Sequence, residues 1–105
     1  MSIDIVRTDG KTDEERLQAG LEICRIPEHM HDGVKAYVLK GRPCGDFLAL
    51  IIQNDFYTAA KHADNDNRSK LFEYADLLYN HFPGGSHGSK EKYVNWIAKH
   101  NEFRN

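Results

Sequence analysis

Apolar residues recur at helical spacing along most of the chain, and the first such segment has a clear start. Thr12 followed by Glu15 has the form of a capping box, in which each side chain binds a free backbone N–H at a helix start. Apolar positions then return every three or four residues from Leu17 to Cys24. This pattern predicts a first helix near residues 13–24.

The second segment is bounded by prolines. Pro27 suits the first turn of a helix, where its missing N–H costs nothing. Gly41 followed by Pro43 is typical of a helix end, because glycine adopts the left-handed conformation and proline cannot continue the helix. We therefore predict a second helix near residues 28–40. Its apolar stripe comprises Met30, Val34, Tyr37 and Val38.

The third segment, Phe47–Ile52, is apolar on all sides, and periodicity alone does not separate a buried helix from a buried strand. A lone strand is unstable, and no partner strand is evident in the rest of the sequence. The sequence therefore predicts a central buried helix near residues 46–53, with Asp46 as its N-cap. Residues 54–55 either cap or continue this helix into residues 56–63.

Two further helices are predicted in the second half of the chain. The clearer one lies near residues 67–81, and the polar residues 64–67 are suited to capping its start. A Gly-rich loop over residues 83–89 follows, and Ser89 caps a last helix near residues 90–100. The apolar stripe of the first comprises Leu71, Ala75, Leu78 and Phe82, and the shared face of the second comprises Tyr93, Trp96, Ile97 and His100.

Five to six short helices with tight turns predict an all-α fold, a compact irregular bundle. Helices this short depend on tertiary packing for their stability. We expect a single helical domain over residues 12–100, an N-terminal tail over residues 1–11 and a frayed C-terminus over residues 101–105. Within the tail, Ile3 and Ile5 alternate with polar residues, which is compatible with a short extended segment.

Composition and charge agree with a small globular protein. The chain is 40% hydrophobic and 29% charged, with a formal net charge of −2, so it lacks a broad basic footprint for nucleic acid. Two cysteines, Cys24 and Cys44, are too few for a disulfide scaffold and are expected to be reduced. No signal peptide or membrane-spanning run is evident. These features favour a cytoplasmic location without membrane attachment.

The sequence offers no motif with clear chemistry. The Gly-rich stretch over residues 84–90 lacks the spacing of a phosphate-binding loop and is predicted to be a turn. His29 and His31 lie near Asp32, but residues two apart point to different faces of a helix, so no metal site is predicted there. The remaining histidines lack the local pairs typical of zinc ligands. We therefore expect neither a metal nor another cofactor.

A nucleophilic role for Cys44 or Ser86 needs a base within hydrogen-bond reach and a third orienting group. The sequence contains these residue types but no local signature of a known nucleophile. We therefore predict no catalytic residue and a protein that is not an enzyme.

Aromatic and basic residues cluster toward the C-terminus and form the candidate interaction patch. Exposed Trp and Tyr beside Lys can stack on bases and pair with phosphates. The same residue types are over-represented where proteins bind one another. Burial of Tyr93 and Trp96 in the core is the competing interpretation. The candidate patch comprises Tyr79, His87, Lys90, Tyr93, Trp96 and Lys99.

Short motifs in a fixed order span residues 26–97, about two thirds of the chain. They are Ile26-Pro27-Glu28-His29, Asp32-Gly33, Gly41-x-Pro43-x-Gly45-Asp46-Phe47-Leu48, Asn54-Asp55, Ala63-Asp64-x-x-Asn67, Leu78-Tyr79-Asn80, Gly88-Ser89 and Trp96. With these motifs the stretch resembles a set of small, functionally undescribed proteins encoded by bacteriophages and prophages. The insert over residues 84–87 departs from that pattern. The resemblance implies a phage or prophage accessory protein in a bacterial cytoplasm and carries no catalytic residues.

The leading functional hypothesis is a non-enzymatic accessory protein that binds a host or phage protein and modulates a host process such as defence or transcription. One alternative is a small nucleic-acid-binding regulator that uses the C-terminal Lys/aromatic helix. Another is a small metal-dependent enzyme. The oligomeric state is left open by the sequence.

Overall fold

The computed structural model describes residues 12–104, with side chains for residues 12–101. In this part of the chain the fold is all-α, as predicted; the expected N-terminal tail and its extended segment lie outside the described residues. The elements are α1 (Asp13–Ile23), a 3₁₀ turn (Glu28–Met30), α2 (His31–Lys40), α3 (Asp46–Ile52), α4 (Phe56–His62), α5 (Asn65–Arg68), α6 (Leu71–His81) and α7 (Lys90–Arg104).

Two predicted helix starts are confirmed by their hydrogen bonds. The backbone N–H of Thr12 donates to Glu15 Oε1 at 2.8 Å, and the N–H of Glu15 donates to Thr12 Oγ1 at 3.1 Å. At the start of α7, the N–H of Lys92 donates to Ser89 Oγ at 3.1 Å. These bonds satisfy backbone donors that have no partner inside the helix.

The start of α3 differs from the prediction. Gly45 occupies the N-cap position and Asp46 is the first helical residue, so the prediction of Asp46 as N-cap is wrong. A carboxylate in the first turn still interacts favourably with the helix dipole. Asp55 begins a new helix rather than continuing α3, because its carboxylate accepts the N–H of Thr58 at 3.2 Å.

The helix predicted near residues 67–81 is divided into α5 and α6. Asp64 caps α5 by accepting the N–H of Asn67 at 2.7 Å. The Asn67 side chain is buried, and its Oδ1 accepts the hydroxyl of Tyr74 at 2.7 Å, so that both polar groups are satisfied. A continuous helix would place residues seven apart about 10 Å from each other along its axis. The break allows the two polar groups to meet.

The buried face of α6 also differs from the predicted stripe. Tyr74 and Leu77 are buried together with Leu78, whereas Ala75 is exposed. The helix is therefore rotated relative to the predicted stripe, and Phe82 remains buried just after its end.

Three helices end in left-handed residues. Gly41 ends α2 with φ +65°, as the sequence predicted. Arg25 after α1 and Asn54 after α3 have φ +57° and +69°. After α1, the N–H of Ile26 donates to the carbonyl of Leu21 at 3.0 Å, which completes a Schellman motif. The prediction of a single helix near 28–40 is refined, since it begins with the 3₁₀ turn.

The core confirms the central position of α3, where Phe47, Leu48, Ile51 and Ile52 are buried. Helix α1 packs against α2 and α6, and α7 packs against α2 and α3. Helix α7 continues to Arg104, beyond the predicted end at residue 100. Within residues 12–104, no helix has both the length and the apolar character needed to cross a membrane.

Candidate functional site

The aromatic residues of α7 pack on Tyr37 of α2. The Tyr37 ring lies 5.3 Å from that of Tyr93 and 6.4 Å from that of Trp96, measured between centroids. Trp96 Nε1 donates to the Tyr37 carbonyl at 3.0 Å, and the Tyr93 hydroxyl accepts the N–H of Cys44 at 3.1 Å. Both residues therefore hold α7 against the bundle, but they are half-buried against the core rather than buried within it.

The Gly-rich loop before α7 also packs on the core. Ser86 is fully buried, and its carbonyl accepts the Tyr37 hydroxyl at 2.6 Å. Its Oγ donates to the Pro83 carbonyl at 2.6 Å, and the N–H of Gly88 donates to the Ile52 carbonyl at 2.8 Å. These bonds fix the loop to α2 and α3, as expected of a structural turn.

Ser86 and Cys44 are poorly placed to act as nucleophiles. Ser86 Oγ lies 3.2 Å from His87 Nδ1, but the serine is buried and its proton is directed at Pro83. Burial, assisted by the charge of Lys92, lowers the pKa of His87. Burial also raises the pKa of Cys44 to about 12, so its thiol is protonated at neutral pH.

The paired histidines near the 3₁₀ turn contact different partners. His29 Nε2 lies 3.3 Å from Asp64 Oδ2, and both side chains are about half exposed. His31 Nε2 contacts the Ile26 carbonyl at 2.9 Å. Across the described residues, no three His, Cys, Asp or Glu side chains gather in a way that could hold a metal ion.

Large exposed apolar side chains occur on α6 and at the end of α1. Phe72 and Tyr79 are 80% and 86% exposed. They lie seven residues, about two turns, apart and therefore on one side of α6. Ile23 is 68% exposed, and its neighbour Cys24 contacts Asp76 of α6 with 3.7 Å between Sγ and Oδ2. We call Ile23, Phe72 and Tyr79 the α1/α6 apolar face.

A groove of about 880 Å³ adjoins this face. Ile23 and Asn80 line it from α1 and α6, and Trp96 lines it from α7. Gly20 of α1 lets α6 approach closely in the same region, because the His81 side chain packs where a Cβ of residue 20 would lie. Of the three residues of the α1/α6 apolar face, Ile23 is the one that lines this groove.

The six residues of the candidate interaction patch lie in different environments. Tyr79 belongs to the α1/α6 apolar face, and Tyr93 and Trp96 pack on Tyr37 as described above. Lys90 and Lys99 are exposed on α7, and Lys99 Nζ lies 5.8 Å from the centroid of the Trp96 ring. The His87 ring packs edge-on against Phe82, with 5.8 Å between centroids.

Sequence reasoning missed Ile23 and Phe72. The signal for Phe72 was present, since it precedes Tyr79 by seven residues and two turns of helix bring such residues to one side. The predicted apolar stripe gave the helix the wrong rotation about its axis, so the side that carries Phe72 was not recognised as exposed. Ile23 lies at the end of α1, beside the buried Cys24, where sequence gives little indication of exposure.

Comparison with known proteins finds no matching family model, no similar curated protein and no solved structure that matches the chain.

Proposed function

We propose that this protein is a non-enzymatic protein-binding module and that its docking surface is the α1/α6 apolar face. The observation that carries the proposal is the exposure of Phe72 and Tyr79, at 80% and 86%, on one side of one helix. Clustered exposed apolar residues mark interaction sites on folded proteins. Aromatic residues dominate the binding energy at such sites.

Burial of these side chains is not needed for α6 to pack. Tyr74, Leu77 and Leu78 already anchor the helix in the core on the opposite side. Covering a large apolar side chain contributes about 1.5–3 kcal/mol relative to leaving it in water. A partner that covers both Phe72 and Tyr79 therefore gains binding energy without rearranging the core.

Protein binding is favoured over the nucleic-acid alternative by the state of α7. That alternative needs aromatic rings free to stack on bases. Tyr93 and Trp96 already contact Tyr37 and use their polar atoms in hydrogen bonds within the chain. The lysines exposed on α7 therefore lie beside rings that are half-buried and already stacked within the fold.

The partner proposed is a host or phage protein in a bacterial cytoplasm. The resemblance of residues 26–97 to small phage and prophage proteins supports this choice. The protonated thiol of Cys44 and the burial of Ser86 support a role without catalysis. Through such a partner the protein would modulate a host process such as defence or transcription.

The test compares variants of the full chain as bait for bacterial lysate. Phe72→Ser and Tyr79→Ser remove the exposed rings, and Tyr57→Ser is the matched control because Tyr57 is 75% exposed on α4. We expect a protein that the wild type and Tyr57→Ser retain equally and that Phe72→Ser and Tyr79→Ser each retain about tenfold less, as a loss of about 1.4 kcal/mol implies.

Far-UV circular dichroism must show the same helix content for all variants. Retention of no protein at physiological salt, or equal retention by all four baits, contradicts the proposal.

A further inference from the structure

The two helices that carry the α1/α6 apolar face are acidic. Helix α6 contains no Lys or Arg, and its carboxylates are Glu73 and Asp76. Asp76 lies between Phe72 and Tyr79 along the helix, about one turn from each. Helix α1 also has more carboxylates than cations. It contains one cation, Arg16, and the carboxylates Asp13, Glu14, Glu15 and Glu22, and Arg25 follows the helix.

This acidity is local to one part of the molecule. The chain as a whole has a formal net charge of −2, less negative than α1 and α6 together. Helix α7 has the opposite bias, with Lys90, Lys92 and Lys99 exposed on its surface. Three carboxylates, Glu22, Glu73 and Asp76, lie on the parts of α1 and α6 that carry the apolar face, against the one cation Arg25, whereas Asp13, Glu14 and Glu15 lie at the other end of α1.

Asp76 is held in position at the edge of the face. Its Oδ2 accepts the thiol of Cys24, and its Oδ1 accepts the side-chain amide of Asn80. A carboxylate fixed beside exposed aromatic rings favours a cationic partner group, because the charge need not be reorganised on binding.

Resting on the protein-binding function proposed above, we propose that the occupant of the α1/α6 apolar face is a basic amphipathic helix of a partner protein. Apolar residues at i, i+3 or i+4, and i+7 of such a helix span about 10 Å. The same length separates Phe72 from Tyr79 along α6. Lysines or arginines flanking that stripe pair with Asp76 and Glu73.

A second copy of the chain is a poorer occupant of this face. A two-fold contact places the same patch of both subunits together. The carboxylates of both α6 helices would then approach each other, and like charges across an interface oppose association.

Two labelled peptides of 18 residues test the proposal, both with leucine at the same helical stripe. One carries lysine at every polar position and the other glutamate. Fluorescence anisotropy with the full chain measures their dissociation constants. We expect the lysine peptide to bind at least about tenfold more tightly than the glutamate peptide. Addition of salt should weaken the lysine peptide's binding.

Variants locate the contact. Phe72→Ser and Tyr79→Ser should each weaken the lysine peptide about tenfold, whereas Tyr57→Ser should leave its affinity unchanged. Glu73→Gln should weaken it about threefold, since an exposed pair contributes little. Asp66→Asn is the charge control, because Asp66 is an exposed carboxylate on α5, outside the face.

The outcomes separate this inference from the protein-binding function. Equal or tighter binding of the glutamate peptide, with the same loss in Phe72→Ser, overturns the basic partner and retains the docking face. The inference is overturned if the lysine peptide does not bind, or if its affinity is unchanged in Phe72→Ser and Tyr79→Ser. The lysate experiment tests the protein-binding function separately. Concentration-dependent self-association lost in Phe72→Ser identifies a second copy as occupant and also overturns it.

Discussion

Substitution of Gly20 by alanine tests the packing of α1 on α6. An alanine Cβ at this position would lie 2.6 Å from His81 Cγ and 2.7 Å from His81 Cβ. These atoms are close to the backbone of α6, so rotation of the His81 ring cannot relieve the overlap. The two helices would have to separate at the point where they line the groove.

Two opposing effects decide the result. Alanine in place of glycine inside a helix stabilises by about 1 kcal/mol. Overpacking of a tight contact costs about 1–3 kcal/mol. We expect Gly20→Ala to lower the free energy of unfolding by about 1 kcal/mol, and the melting temperature by about 4–8 °C.

Gly33→Ala in α2 is the matched control. A Cβ there lies 3.8 Å from Leu48 Cδ2, an ordinary contact. The same substitution should therefore stabilise the protein, by about 0.5–1 kcal/mol, because only the helix propensity changes.

Urea unfolding followed by circular dichroism measures each free energy, and a double-mutant cycle with His81→Gly isolates the contact. Because His81→Gly removes both the ring and its Cβ, Gly20→Ala should stop being destabilising in that background. The expected coupling is about 1 kcal/mol or more. A stabilising Gly20→Ala, or a cycle without coupling, refutes the close approach of the two helices.

Three further predictions concern Tyr37, Arg25 and the two cysteines. Tyr37→Phe leaves the buried Ser86 carbonyl without its donor and should cost about 1–3 kcal/mol in urea unfolding; an unchanged stability contradicts that bond. Arg25→Gly removes a left-handed arginine at φ +57° and should stabilise by about 1 kcal/mol, seen as a higher melting temperature; an equal or lower one contradicts the assigned conformation. Burial raises the pKa of Cys24 to about 11 and of Cys44 to about 12 from 9.0, so the folded state favours neutral thiols. The free energy of unfolding should therefore keep its full value below about pH 9 and fall as the pH rises toward these values. Cys44→Ala should weaken that fall. A urea midpoint independent of pH across this range contradicts the prediction.

Helix starts were predictable where the bonds are local. The Thr12–Glu15 capping box and the Ser89 cap each join groups three residues apart, so the sequence contains both partners. The start of α3 was assigned one residue too late, because Gly45 and Asp46 are both acceptable cap residues and only the backbone conformation distinguishes them.

The rotation of α6 could not be read from its apolar spacing alone. Leu71 and Ala75 fit a helical stripe as well as Tyr74 and Leu77 do. The Tyr74 hydroxyl donates to Asn67 Oδ1, and this hydrogen bond offsets the cost of burying the tyrosine's polar group in the core. Because the Tyr74 side of α6 is buried, Phe72 and Tyr79 on the opposite side are exposed and form part of the candidate docking surface.

The sequence by itself determined the helical class, the positions of most helices and the burial of α3, since these depend on periodicity, capping and turn residues within a few positions. Only the tertiary structure decided which sides of those helices meet. Tyr37 lies 59 residues from Trp96 and 49 from Ser86, yet it binds both. Such contacts depend on how whole helices pack, so local pattern could not show that Trp96 is an anchor while Phe72 and Tyr79 are exposed.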